Sequence, residues 1–175
     1  MSDATAIDIG LMCVRLALGG VLVAHGANHI WGGGRIGGTA GWFESLGMRP
    51  GIVHAWLASI TELVCGALLV VGLLTSLAAA GSLGVMLVAW TTNHRGNGFF
   101  IFRPGEGWEY VMSLSALSVA IGAIGAGRWS VDHALDLDVF SGASGLAITI
   151  LAGAGGALLL LLVAWRPGSV PAKES

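Results

Sequence analysis

Histidines and a carboxylate recur at the ends of long apolar segments of this sequence. His25, His29, His54 and His94 each lie where such a segment begins or ends, and Glu109 opens another. An imidazole titrates near neutral pH and can pass protons to a quinone or to a chain of water molecules. If the segment ends converge, these side chains predict a polar pocket. The alternative is that each histidine only caps a helix end beside lipid headgroups.

Two of the histidines also have a spacing that suits metal binding. His25 and His29 are four residues apart, so a helix places both imidazoles on one face, where they are weak candidates for a metal ion. A haem would need two histidines on facing helices, such as His25 or His29 with His94. We do not favour either site, and we expect neither a metal nor an intrinsic cofactor.

Two charged side chains lie within apolar segments. Arg15 is near the middle of the first segment and Glu62 is near the middle of the second. Ionisable groups at this depth in a membrane are costly, and they mark candidate functional sites. Gly19 is one helical turn from Arg15, and Gly66 is one turn from Glu62, so small neighbours would let the two charges meet. The pair is either a lock between two helices or a group that handles protons or a ligand.

The composition indicates the class of protein that positions these residues. Of 175 residues, 55% are hydrophobic and 10% are charged, whereas soluble domains have about 25% charged residues. The net charge of −2 gives no cationic surface for nucleic acid. The two cysteines, Cys13 and Cys65, exclude a disulfide scaffold, and we expect buried free thiols. The sequence therefore predicts an all-α integral membrane protein.

Five segments are apolar enough to cross a bilayer, which takes about 20 residues. They cover approximately residues 7–30, 52–74, 77–92, 110–126 and 145–165. Closely spaced glycines predict a compact antiparallel bundle. Between the segments we expect a flexible connector over 32–41, a short interfacial helix over 42–48 and a surface amphipathic segment near 129–133. With five crossings, the histidines at the segment ends share the side opposite the N-terminus, called side B here, and the N-terminal side is side A.

Basic residues are distributed unequally between the two sides. Side B receives six of them, which are Arg35, Arg49, Arg95, Arg103, Arg166 and Lys173, and side A receives only Arg128. Basic connections favour the cytoplasm, so we expect the N-terminus outside and the C-terminus inside. The first ten residues contain no Lys or Arg, and we therefore expect the first segment to remain as an anchor instead of being cleaved as a signal peptide.

Short stretches in a specific order resemble the DoxX family of small bacterial membrane proteins. The stretches are RLALG at 15–19, HG at 25–26, FESLG at 43–47, ELVCG at 62–66, LLT at 73–75, HRGNGF at 94–99, GWEY at 107–110 and GRWSVD at 127–132. The resemblance implies a four-helix core in the bacterial inner membrane and an association with redox enzymes, including quinol oxidase and thiosulfate- or thiol-related systems. The family often has Lys where this chain has His29, so no lysine role carries over.

These observations lead to one domain scheme and three functional hypotheses. Residues 1–142 form a DoxX-like four-helix domain, residues 143–166 an additional C-terminal transmembrane helix, and residues 167–175 a flexible polar tail. The favoured hypothesis is a subunit of a redox system whose pocket binds a quinone or a similar apolar ligand through the following residues: Arg15, Glu62, His25, His29, His94 and Glu109. Whether the protein is itself an enzyme stays open. The sequence has no evident electron carrier, so any oxidoreductase activity would need a cofactor-bearing partner.

The two alternatives assign the polar residues a different role. One is a membrane scaffold that anchors a soluble enzyme and does no chemistry. The other, which we rank last, is a small transporter or lipid-binding protein. In each case we expect membrane lipid and a protein partner in a membrane complex, with a homo-oligomer left open and no nucleic acid.

Overall fold

The computed structural model describes residues 2–137 and 140–167. The described part contains these helices: α1 Asp3–Trp31, α2 Arg35–Ser45, α3 Gly51–Val71, α4 Thr75–His94, α5 Glu109–Ile124, α6 Val131–Ala134 and α7 Gly142–Ala164. Helix α4 ends in a π turn over Trp90–His94, and α7 contains another over Thr149–Ala154. The helices lie close to the five predicted segments, because long apolar runs bounded by polar turns leave few alternative boundaries.

Four of the described helices, α1, α3, α4 and α7, are long and apolar enough to cross a membrane. Helix α5 is shorter, with 16 residues, and at 1.5 Å per residue it extends about 24 Å. It packs along α4, where the hydroxyls of Ser82 and Ser118 are 2.8 Å apart. The prediction of an all-α membrane helix bundle is confirmed.

Helices α1 and α3 approach closely through glycines. A Cβ added to Gly19 would lie 2.6 Å from the carbonyl oxygen of Gly66, and one added to Gly26 would lie 2.8 Å from that of Ser59. Small residues permit this approach, which lipid alone would not drive. These two contacts fix which turns of α1 and α3 face each other, and therefore the depth of every polar residue on the two helices.

Helix α7, the fifth apolar segment, is packed into the bundle. The hydroxyl of Thr149 donates to the carbonyl of Ser76 at 3.2 Å, and a Cβ on Gly153 would lie 2.7 Å from the carbonyl oxygen of Ala80. At its end, the indole N–H of Trp165 donates to the carbonyl of Leu46 at 2.9 Å. The helix therefore joins α4 to the connection between α2 and α3.

The region after α1 differs from the prediction. A flexible connector was expected over 32–41, but α2 begins at Arg35 and continues to Ser45. The glycines lower the helix propensity of this stretch, and tertiary contacts compensate for it. The hydroxyl of Thr39 donates to the carbonyl of His29 at 3.0 Å, and Phe43 is buried.

Candidate functional site

Glu62 is a buried acid near the middle of α3. It lies on α3 and is 4% exposed. Its Oε2 is 3.1 Å from Nδ1 of His29 on α1, although the two atoms lack hydrogen-bond alignment. The contact forms because Gly26 brings α1 against α3 next to Glu62. A carboxyl group and an imidazole at this distance can share or exchange a proton.

A second polar pair lies beside the first, between α1 and α5. The hydroxyl of Tyr110 is 2.9 Å from Nε2 of His25, and Tyr110 also interacts electrostatically with Glu62. His25 is exposed on the flank of the bundle, whereas Tyr110 is half-buried. Sequence reasoning did not select Tyr110 as a site residue. Its position directly after the candidate Glu109, at the start of an apolar segment, was the available signal.

The other side-B candidates have local partners. Nδ1 of His94 is 2.9 Å from the carbonyl oxygen of Glu106, and Nε2 of His54 is 3.3 Å from that of Arg49. These histidines connect loops to helix ends, which agrees with the alternative that each of them has only a structural role. Within the described residues, no hydrogen bond or ion pair is recorded for the Glu109 carboxylate. Of the predicted site residues, His29 and Glu62 contact each other, and His25 contacts Tyr110, which was not among them.

Arg15 does not meet Glu62, so the expected charge pair is not formed. Arg15 is 1% exposed and donates from Nη2 to the carbonyl oxygen of Trp129 at 2.6 Å. Its guanidinium lies against Gly72, at the end of α3. Ten residues separate Gly72 from Glu62, which corresponds to about 15 Å along a helix axis. The prediction placed both residues at mid-span, but α1 extends beyond the end of α3 on side A.

Side A contains a polar cluster that the sequence analysis took for a surface segment. Asp132 on α6 is 7% exposed. Its two carboxylate oxygens accept from the backbone N–H groups of Leu74 at 2.7 Å and Thr75 at 2.9 Å. Asp132 therefore caps the first turn of α4, where unpaired N–H groups favour a negative charge. Nearby, Nε of Arg128 is 2.6 Å from Oδ2 of Asp8.

Two cavities open on side A, away from the histidine cluster. The first has a volume of about 150 Å³ and lies between the start of α4, the end of α5 and the start of α7. The second, about 350 Å³, borders the Asp8–Arg128 ion pair. Side B is the better candidate for proton chemistry, because imidazoles there contact a carboxyl group and a tyrosine hydroxyl.

The remaining candidates concern metals and thiols. In the described residues, no group of three or more His, Cys, Asp or Glu side chains is arranged to hold a metal ion. Cys13 and Cys65 are both free thiols. Cys13 is exposed on the flank of the bundle, contrary to the expected burial, and Cys65 is half-buried.

Comparison with known proteins finds a family model and a relative that match this chain. The family model for DoxX matches residues 10–95, a range that includes His25, His29 and Glu62. An uncharacterized membrane protein of Mycobacterium tuberculosis, Rv3486, is 30% identical over 134 residues, which cover 71% of this chain and 80% of that protein. No solved structure matches the chain significantly. The chain is a member of the DoxX family of membrane proteins.

Proposed function

We propose that this protein is a membrane subunit of a redox system, and that it binds a quinone or a similar apolar ligand beside His25 and Tyr110. The observation that carries the proposal is that two pairs of titratable side chains are in contact between α1 and the helices packed against it. One pair, Tyr110–His25, is at the flank. The other pair, Glu62–His29, is more deeply buried. In a membrane interior, polar groups of this kind mark ligand or proton pathways.

The flank position suits a ligand that dissolves in the bilayer. A quinone has an apolar ring and tail and two carbonyl oxygens that accept hydrogen bonds. Because His25 is exposed on the side of the bundle, such a ligand can approach from lipid without an enclosed cavity. Either the Tyr110 hydroxyl or an imidazole N–H of His25 can donate to one carbonyl.

The buried pair suits the proton chemistry of such a ligand. Reduction of a quinone to a quinol takes two electrons and two protons. A partner oxidoreductase that bears a flavin, haem or iron–sulfur centre would supply the electrons. Glu62 and His29 can donate and recover protons near the head group, with Tyr110 and His25 between them and the ligand. The role assigned to this chain is to bind the ligand and to exchange protons with it.

Quinone retention tests the proposal directly. The full-length protein is purified from its membranes in a mild detergent, and bound quinone is quantified per mole of protein by extraction and mass spectrometry. We expect near-stoichiometric quinone in the unmodified protein. Tyr110→Phe removes one donor and should weaken the affinity for quinone about tenfold, since a hydrogen bond contributes about 1.4 kcal/mol, so that a smaller fraction of the protein retains quinone.

Glu109→Gln is the matched control, because it alters a carboxyl group at the same end of the bundle but outside the cluster. It should retain quinone like the unmodified protein. Glu62→Gln should retain quinone but slow its reduction by a co-purified partner. A folded protein without quinone would overturn the proposal, and a soluble enzyme that still co-purified would then favour the scaffold function.

A further inference from the structure

The first side-A cavity has walls that are mainly apolar. Its volume is about 150 Å³, and apolar cavities of that size admit a molecule such as benzene. The apolar lining residues include Leu74, Leu77, Ala126, Phe140 and Ile148. Leu74 and Leu77 are exposed, so this edge of the cavity is apolar and open to the surroundings of the bundle.

One residue that lines the cavity, Thr75, has a buried hydroxyl without a partner in the described part of the chain. Thr75 is 2% exposed, and its hydroxyl makes no hydrogen bond to any of the described residues. A buried hydroxyl left unpaired costs about 1–3 kcal/mol. If the Thr75 side chain turns about its Cα–Cβ bond so that the hydroxyl faces the cavity, a molecule that places an oxygen atom against the hydroxyl removes this cost.

The neighbouring polar groups are already engaged. Both carboxylate oxygens of Asp132 accept backbone N–H groups, and its charge is opposed by that of Arg15. The hydroxyl of Ser76 donates to the carbonyl of Phe140. A buried water molecule needs two to four polar partners, and a charged ligand would need a free countercharge. These facts favour a neutral, mostly apolar ligand with one hydrogen-bonding oxygen.

We propose that this cavity is a binding site for a small neutral ring compound that bears one oxygen, such as a phenol or a cyclic ketone, with the oxygen bonded to the Thr75 hydroxyl. The ligand enters from the bilayer past Leu74 and Leu77. The site lies at the opposite end of the bundle from Tyr110 and His25, and it does not depend on quinone binding there.

A pair of ligands of nearly equal shape provides the test. The full-length protein in detergent is labelled with ¹³C in its Leu and Ile methyl groups, and the Leu77 and Ile148 signals are followed by NMR. The two probes are 4-methylphenol and toluene, which differ by one hydroxyl group. We expect saturable shifts with 4-methylphenol and an apparent affinity about tenfold weaker for toluene, the effect of one hydrogen bond.

Two variants locate the interaction. Thr75→Val keeps the shape of the side chain and should remove the difference between the two probes. Ala126→Leu should fill the cavity and abolish the shifts. Thr91→Val is the control, because the Thr91 hydroxyl already bonds within α4 to the carbonyl of Leu87, far from the cavity.

Three results would overturn the inference. The first is the absence of saturable shifts in the unmodified protein. The second is equal affinity for 4-methylphenol and toluene, which needs no variant and would mean that the Thr75 hydroxyl bonds neither probe. Saturable shifts that persist in folded Ala126→Leu protein would also place the ligand elsewhere and count against the site.

Discussion

Arg15 in the first membrane-spanning helix donates a hydrogen bond of 2.6 Å to the carbonyl oxygen of Trp129, 114 positions later in the chain. The bond connects α1 to the loop that precedes α6. Asp132 in that segment caps α4 and opposes the charge of Arg15. On side A, these contacts therefore connect the first helix, the loop after α5 and the start of α4.

Arg15→Met should destabilise the bundle. The substitution removes the hydrogen bond from the charged guanidinium to the Trp129 carbonyl, and the loss of such a bond costs about 1.5–3 kcal/mol. It also removes the positive charge that opposes the charge of Asp132. SDS-induced unfolding in mixed micelles measures the change in the free energy of unfolding. The double variant Arg15→Met, Asp132→Asn should lose about 1–3 kcal/mol less than the sum of the two single variants. Simple additivity would mean that the two side chains do not act together.

Asp132→Ala should loosen the start of α4. Two backbone N–H groups lose their acceptor, and loss of a cap costs about 1–2 kcal/mol. Hydrogen–deuterium exchange should therefore accelerate at the Leu74 and Thr75 amides and leave the middle of α4 unchanged. Asp136→Asn is the control, because Asp136 is exposed with φ 55°, a conformation that asparagine tolerates. Unchanged exchange at both amides in the Asp132 variant would contradict the capping role.

Adjacent glycines in α1 should respond in opposite directions to alanine. At Gly19 the new methyl group would meet the Gly66 carbonyl and the side chain of Val70, so overpacking should cost about 1–3 kcal/mol. At Gly20 nothing lies within 4 Å, and alanine should be neutral or stabilise the helix by up to about 1 kcal/mol. Thermal unfolding of the two purified variants side by side checks the sign. Equal destabilisation would argue against the close α1–α3 contact.

Trp165→Phe should weaken the attachment of α7 to the connection after α2. The variant keeps an aromatic ring but loses the indole N–H that donates to Leu46, a change of about 1 kcal/mol. We expect a lower unfolding temperature and faster proteolysis near residues 46–49. Trp31→Phe provides the comparison, because Trp31 is 71% exposed and should tolerate the change. If both variants behave alike, the Trp165 hydrogen bond does not hold α7.

The sequence was sufficient for the number and approximate limits of the apolar helices. Hydrophobic runs near 20 residues have few structural solutions in lipid, because each backbone group must be paired within its own helix. The same reasoning selected His25, His29 and Glu62 as candidates, since polar residues stand out against an apolar background, and their role stays a prediction. It predicted a short helix over 42–48 but missed the first part of α2, where glycines disfavour a helix and contacts of Thr39 and Phe43 with other parts of the chain compensate.

The depth of the polar side chains in the bundle, and the partners that they contact, were decided by tertiary structure alone. Hydropathy places Arg15 and Glu62 near the middle of their segments, but the glycine contacts between α1 and α3 set the offset of the two helices. That offset places Arg15 beside Trp129 and Glu62 beside His29. Asp132 likewise belongs to a short polar stretch, and only the return of the chain to the start of α4 buries it. A single sequence shows which residues are polar, whereas the partners depend on how far one helix slides along another.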